Sequence, residues 1–274
     1  MRSDLHAHTT ASDGTVSPEG LVALAVDASL DVLAITDHDS VEGLAAAFRS
    51  AADLSLRVIA GVELSAVDAG RDVHVLGYFM DPSDPDLVAH LADLRDARLR
   101  RAESIVGALV DAGYDVTLEQ VLALSDGGAV GRSHVARALV DSGHAEDISD
   151  AFRRFIGRGR PFYVAKDVRA PAEAIDAIRA AGGIAVLAHP AVSRVEELIE
   201  PLVELGLAGI EAYHADHTPE DRTRLAAQAG RLGLLATGGT DYHGPHAPNP
   251  ALGSVALPDD DLERFLAAEP SRTS

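Results

Sequence analysis

The sequence predicts an α/β fold, a distorted seven-stranded βα barrel of the TIM-like kind with an inserted helical cap module. Three observations point there. Short apolar runs rich in Val, Ile and Leu alternate with helical stretches, the pattern of βα units. Seven such runs occur, and 274 residues suffice for a barrel that usually needs about 250. Polar His, Asp and Glu residues stand where nearly every apolar run stops.

The strands fall near residues 2–5, 32–36, 57–63, 73–78, 184–188, 208–212 and 234–238. Helices open at Ser17 with Pro18 in the first position, at Pro171, near Val195 and at Pro219. Tyr78 and Ile184 are more than 100 residues apart, too far for a simple crossover. Residues 84–165 are therefore assigned to the cap, leaving 1–83 and 166–274 for the barrel. Within the cap, 86–112, 117–124, 132–141 and 147–156 have helical apolar spacing, broken by Gly113, Gly127-Gly128 and Gly143.

Composition narrows the function. With 43 acidic against 23 basic residues the formal charge is −20, which disfavours a broad nucleic-acid surface or an anionic membrane as partner. An anionic substrate then needs a local device to hold it. The absence of Cys removes disulfides, thiol catalysis and Cys-ligated zinc, leaving His, Asp and Glu as metal ligands. No run of about 18 apolar residues spans a bilayer, and residues 1–16 are too polar for a signal peptide, so the expected location is cytoplasmic. Of the 23 basic residues, only Lys166 is not Arg.

Nine residues at or beside predicted strand ends carry the chemistry: His6, His8, Asp13, His38, Glu63, His74, His189, Asp241 and His243. Strand ends of a βα barrel share one face, so these positions converge. His6 and His8, two apart on an extended segment, point to the same side. Nine ligands exceed what one catalytic zinc takes, so two or three divalent ions are expected, and the mixed donor set suits Mn²⁺, Fe²⁺ or Zn²⁺. With Glu63 bridging, three ions leave about three positive charges in the pocket after three carboxylates, the local device an acidic chain requires. Phosphoester hydrolysis by a hydroxide bridging the ions is the matching reaction. Asp37 and Asp39 flank His38 and are candidates to orient the His ligands, with capping of the next helix an equal alternative for Asp39.

The motifs DLHAHTTASDG, AITDHD, GVE, VHVLGY, LAHP and GTDYHG resemble those of the PHP superfamily, the polymerase and histidinol phosphatase family of metal-dependent phosphoesterases. The resemblance runs from residue 1 to about 250. It implies His6, His8, Glu63 and Asp241 on one ion, Asp13, His38 and His243 on a second, and Glu63, His74 and His189 on a third. The long insertion, with GRSHVARAL and RPFYVAK, is similar to the stand-alone phosphatases of nucleoside 3′,5′-bisphosphates. That resemblance implies removal of the 3′-phosphate, as from adenosine 3′,5′-bisphosphate to AMP. The substrate partner is then a small phosphorylated nucleotide.

A second phosphate needs further cations, and Arg132, His134, Arg158, Arg160 and Lys166 are the candidates, with backbone N–H groups of Gly131–Ser133 at a helix start. A sole Lys among Arg residues suggests a site for a compact ammonium. Arg95, Arg98, Arg100 and Arg101 read as a solvated helix face. Glu211, Tyr213, His214 and His217, in GIEAYHADH, follow a strand and are expected to line the pocket, with Tyr213 available to stack a base. An aromatic content of 4% argues against a long single-strand platform. The alternatives are a 5′-to-3′ exonuclease on short oligonucleotides, a small-metabolite phosphatase of the histidinol phosphate type, a non-catalytic nucleotide-binding module, and an amide hydrolase, which would have no use for the Arg-rich insertion.

Overall fold

The computed structural model describes residues 1–125, 127–166, 169–245 and 250–271. Seven strands form one sheet in chain order: β1 (Ser3–Asp4), β2 (Val32–Ile35), β3 (Arg57–Asp68), β4 (Arg71–Tyr78), β5 (Ile184–Leu187), β6 (Gly209–His214) and β7 (Leu235–Gly239). The sheet curls until its edges meet. Leu5 N–H donates to the Gly238 carbonyl at 3.2 Å, His8 N–H to the Tyr242 carbonyl at 2.8 Å, and Ala7 bridges Tyr242 in parallel. Gly239 makes this seam possible, because a Cβ there would stand 2.5 Å from the His6 backbone nitrogen.

One strand departs from the expected parallel pattern. β4 runs antiparallel to both β3 and β5. The two residues joining β3 to β4 are Ala69 (φ 46°) and Gly70 (φ 75°), the left-handed pair of a tight hairpin, and a two-residue turn must return the chain. β3 also runs five residues past Glu63, so the hairpin rises beyond the barrel mouth. His74, near the start of β4, pairs with Ser65 and reaches the face on which Glu63 lies.

The helices of the barrel are α1 (Pro18–Asp27), α2 (Leu44–Ala51), α7 (Pro171–Ala180), α8 (Pro190–Ser193), α9 (Ile199–Glu204), α10 (Pro219–Leu232) and α11 (Asp259–Ala267); those between β4 and α7 are α3 (Pro85–Asp111), α4 (Leu118–Ser125), α5 (Arg132–Asp141) and α6 (Ile148–Ala151). α6 continues as a π-helical turn over Phe152–Ile156. Local chemistry sets their starts: Ser17 Oγ accepts from Gly20 N–H ahead of Pro18, and Thr218 Oγ1 accepts from Asp221 N–H at 3.1 Å ahead of Pro219. The helix expected near Val195 begins there as a 3₁₀ turn over Glu196–Leu198, capped by Val195, that runs into α9; the separate α8 ends just before it at Arg194, whose φ is 56°. α2 and α11 lie outside the helices read from the sequence.

Two apolar clusters fill the barrel wall and interior, and a third is the core of the inserted helices α3–α6. α3 belongs to both regions: Leu87, Leu91 and Leu94 pack into the barrel, whereas Ala102, Ile105, Val106 and Leu109 pack with Val121, Leu139 and Phe155. The insertion is pressed onto the barrel mouth, with Ala129 N–H donating to the Ala11 carbonyl at 3.1 Å. A Cβ on Gly128 would stand 2.4 Å from the Thr10 carbonyl oxygen, so only glycine permits that approach. Among the described residues, no helix is long and apolar enough to cross a membrane.

Candidate metal centre and its cationic border

Glu63 is the hub of the barrel mouth. It is 1% exposed, and four imidazoles meet its two oxygens: His6 Nε2 and His8 Nε2 at 3.3 Å and His38 Nδ1 at 2.9 Å from Oε2, with His74 Nδ1 at 2.8 Å from Oε1. His189 Nε2 adds a contact to Oε1 at 3.1 Å and lies 3.4 Å from His74 Nδ1. Asp241 Oδ1 stands 3.3 Å from His6 Nε2 and 3.0 Å from His8 Nε2. Asp13 Oδ1 faces His243 Nε2 at 3.2 Å, and His8, Asp13, His38 and His243 form one close group. All nine sequence-nominated residues are thus in one cluster.

Backbone and neighbouring groups aim these rings. His243 donates from Nδ1 to the Asp241 carbonyl at 2.7 Å, turning Nε2 toward Asp13. Asp37 accepts from Thr9 N–H, Thr9 Oγ1 and Ser12 Oγ, each at 2.7 Å, which shapes the loop carrying His8 and Asp13. Asp39 accepts from Ser65 N–H at 2.7 Å and pairs with Arg98. His189 (φ 28°) and Asp241 (φ 52°) hold left-handed backbone at their strand ends, a conformation non-glycine residues adopt at a cost.

The donor set fits divalent metal. Atoms sharing one ion at about 2.0–2.2 Å lie about 3.0–3.5 Å apart, close to the separations around Glu63 and Asp241. His6 Nε2, His8 Nε2, His38 Nδ1, Asp13 Oδ1 and Glu63 Oε2 are buried without a hydrogen-bond partner, a costly state unless a cation completes them. Burial alone would raise the Glu63 pKa, but His38, His74 and His6 outweigh it and hold the carboxyl well below its usual range. A cavity of about 180 Å³ opens on the cluster, lined by His38, Glu63, His74, His189, His214 and Asp241 among others.

A cationic border adjoins the cluster. Lys166 Nζ lies 3.0 Å from His74 Nε2, 3.5 Å from Ser65 Oγ and 3.7 Å from Asp72 Oδ1. Burial, with Arg98 and Arg132 nearby, brings its pKa down to about 8 despite the opposing pull of Asp72 and Asp39. Arg132 donates to Asp72 at 2.9 Å, and Arg98 donates to Ser65 Oγ at 2.9 Å. Arg98 and Arg101 were expected on a solvated face, yet both turn inward and line a small cavity with Arg132 and Gly131. Their burial follows from α3 crossing between the two cores, which turns this face of its middle turns inward while Asp96, Arg100 and Glu103 stay exposed on the other. Arg101 donates from Nε to the Val164 carbonyl at 2.8 Å, its Nη2 is buried without a partner, and desolvation beside Arg132 lowers its pKa to about 10.

The remaining nominated residues are placed differently. His134 is buried, its Nδ1 accepting from Gly131 N–H at 3.0 Å at the start of α5. His214 is on the cavity wall. Tyr213 points away: its hydroxyl donates to Asp261 of α11 at 2.8 Å, and adjacent strand residues face opposite sides. Arg158 and Arg160 stand exposed after the π-helical turn. Glu211 is buried with one oxygen 3.0 Å from His6 Nδ1, and His6 and His214 draw its pKa to about 2 against the upward push of burial.

A closed βα barrel whose mouth gathers imidazoles and carboxylates, edged by buried cations, defines a metal-dependent phosphoesterase. The PHP domain model matches residues 4–162, and the chain belongs to that family. It is 38% identical over 249 residues to the 5′-3′ exoribonuclease Rnm of Escherichia coli, covering 88% of this chain and 85% of that protein. It is 36% identical over 248 residues to a 3′,5′-nucleoside bisphosphate phosphatase of Chromobacterium violaceum, covering 88% and 87%. A crystal structure from Bifidobacterium adolescentis, described as a metal-dependent phosphoesterase, matches with a TM-score of 0.89 at 35% identity over 97% of this chain and 95% of that one.

Proposed function

We propose that the protein removes the 3′-phosphate from nucleoside 3′,5′-bisphosphates, such as adenosine 3′,5′-bisphosphate, leaving the 5′-monophosphate. The observation that carries this reading is the cationic border. Arg98, Arg101, Arg132 and Lys166 share only two carboxylate partners within 4 Å, Asp39 and Asp72, among the described residues. That surplus of two positive charges lies beside the cluster, where a second phosphate dianion of a substrate would be neutralised. The relative from C. violaceum supports the same substrate class. Residues 84–165 then serve as a cap that brings Arg98, Arg101 and Arg132 to the mouth.

His6, His8, Glu63 and Asp241 would hold one ion, Asp13, His38 and His243 a second, and Glu63, His74 and His189 a third. Mn²⁺, Fe²⁺ or Zn²⁺ in these positions supplies Lewis-acid polarisation of a phosphoryl group and a nucleophile at neutral pH. The chain's own part is placement. Glu63 and Asp241 balance positive charge in the mouth, and Lys166 reaches from the cluster toward the cap. Arg101 offers an unused N–H to an anion. The cavity of about 180 Å³ is below the ~300 Å³ of a pocket for a whole drug-sized ligand, so it suits the reacting phosphate while the nucleoside and its second phosphate extend along the border.

The test is phosphate release by the Mn²⁺-loaded protein from adenosine 3′,5′-bisphosphate, beside histidinol phosphate and 5′-phosphorylated oligoribonucleotides. The bisphosphate is expected to exceed histidinol phosphate by about tenfold or more in kcat/KM, the worth of one charge-assisted contact. Equal or reversed rates overturn the proposal. The likeness to Rnm favours a second reading, 5′-to-3′ trimming of short RNA, which faster release of nucleotides from the oligonucleotide would establish.

A further inference from the structure

β6 differs from the other six strands: each of those places one of the nine cluster residues on or just beyond it, whereas β6 places none. It carries Glu211 instead, fully buried behind the cluster. One Glu211 oxygen lies 3.0 Å from His6 Nδ1, and the other accepts the His189 N–H at 2.9 Å. An ionised carboxylate only accepts, so His6 must carry its hydrogen on Nδ1. Its bare Nε2 then faces Glu63 Oε2 and Asp241 Oδ1, each at 3.3 Å. The second oxygen ties down the main chain of a residue held at φ 28°, ψ 55°.

We propose that Glu211 is a positioning residue for the metal centre, fixing the tautomer of His6 and the main chain of His189 so that both present Nε2 to the cluster. This rests on the metal-centre part of the functional reading and is independent of the substrate. His6, Glu211 and His214 lie close enough to hold an ion of their own, but their hydrogens argue otherwise. His214 Nδ1 accepts from Asp216 N–H at 3.1 Å, so its hydrogen sits on Nε2, which faces Asp241 Oδ2 at 3.7 Å. With hydrogens on His6 Nδ1 and His214 Nε2, the trio is a hydrogen-bonded support for ligands on β1, β5 and β7.

Glu211→Gln tests this with little change of shape. An amide offers one acceptor oxygen and cannot serve both the His6 Nδ1–H and the His189 N–H. The full-length variant is expected to bind Mn²⁺ about 10–100-fold more weakly in chelator competition, the range for lost outer contacts of ligating His, with metal content after desalting reduced. The metal-free protein should keep its circular dichroism, with a lower melting temperature from the one buried donor left unpaired. Affinity within about twofold of the parent, at equal stoichiometry, overturns the proposal. Should the variant not fold, long-range ¹H–¹⁵N spectra of the parent protein decide. A hydrogen on His6 Nδ1 supports the assignment, and one on Nε2 overturns it. Because no substrate enters either measurement, failure here is separate from failure of the bisphosphate reading.

Discussion

At the barrel mouth, six imidazoles gather around Glu63, Asp13 and Asp241 with many donor atoms lacking hydrogen bonds. Along the inner edge of the cap, guanidinium groups and one ammonium face a shortage of carboxylates. Both regions are desolvated, and both leave polar atoms unsatisfied, but the atoms are of opposite kind. Bare nitrogens and carboxylate oxygens suit cations, while the unpartnered Arg101 N–H suits an anion. The contrast shows that the acidic chain does not spread its positive charge as a surface field. It concentrates that charge in one seam where the His/carboxylate cluster and the cap meet.

Removing the hub separates the two regions most sharply. Glu63→Ala is expected to lower kcat/KM by about 10³-fold or more and to reduce bound metal, measured by phosphate release and elemental analysis. A loss below about tenfold would detach activity from the cluster. On the cap side, Arg101→Ala is expected to cost about 10–100-fold in kcat/KM for the bisphosphate, the equivalent of about 1.5–3 kcal/mol for a charged hydrogen bond. A minimal aryl monophosphate should be turned over nearly as before. An equal loss on both substrates would make Arg101 structural. Lys166→Arg should fall in the same range, because a guanidinium cannot occupy the site of a compact ammonium 3.0 Å from His74.

Stability readings sharpen the comparison further. Chelation of metal is expected to lower the melting temperature by about 5–10 °C at metal concentrations near 100 times Kd, with no such shift in Glu63→Ala. The smallest effect concerns the Asp39–Arg98 pair that joins the regions. Burial raises the Asp39 pKa, but Arg98 and the Ser65 N–H outweigh it, so the folded value is lowered. Its stabilisation is therefore complete above about pH 4, the unfolded carboxylate value, and is lost as pH falls through the lowered folded value. Urea titrations between pH 5 and about 2.5 should show a shallower acid-side loss in Asp39→Asn than in the parent protein.

Much of this was readable from residue order. Apolar runs ending in His, Asp or Glu located the barrel strands and the nine cluster residues, since period and punctuation are local signals. The turn Ala69–Gly70 was also local, yet its consequence, an antiparallel β4, escaped a pattern that assumed crossovers throughout. Glu211 lies in the quoted segment GIEAYHADH, but nothing in that segment says which ring it would meet. Arg98 and Arg101 read as solvent-facing because helical charge clusters usually are. Only the passage of α3 between two cores gives them an interior.

The sequence by itself determined the donor set of the candidate metal centre, because residue identity and spacing at strand ends are properties of the residues. The tertiary structure decided which groups support that donor set and where the positive charge collects. Those relations join positions far apart in the chain, His6 with Glu211 and Lys166 with His74, and no local periodicity encodes a contact made only when the barrel closes and the cap settles on it.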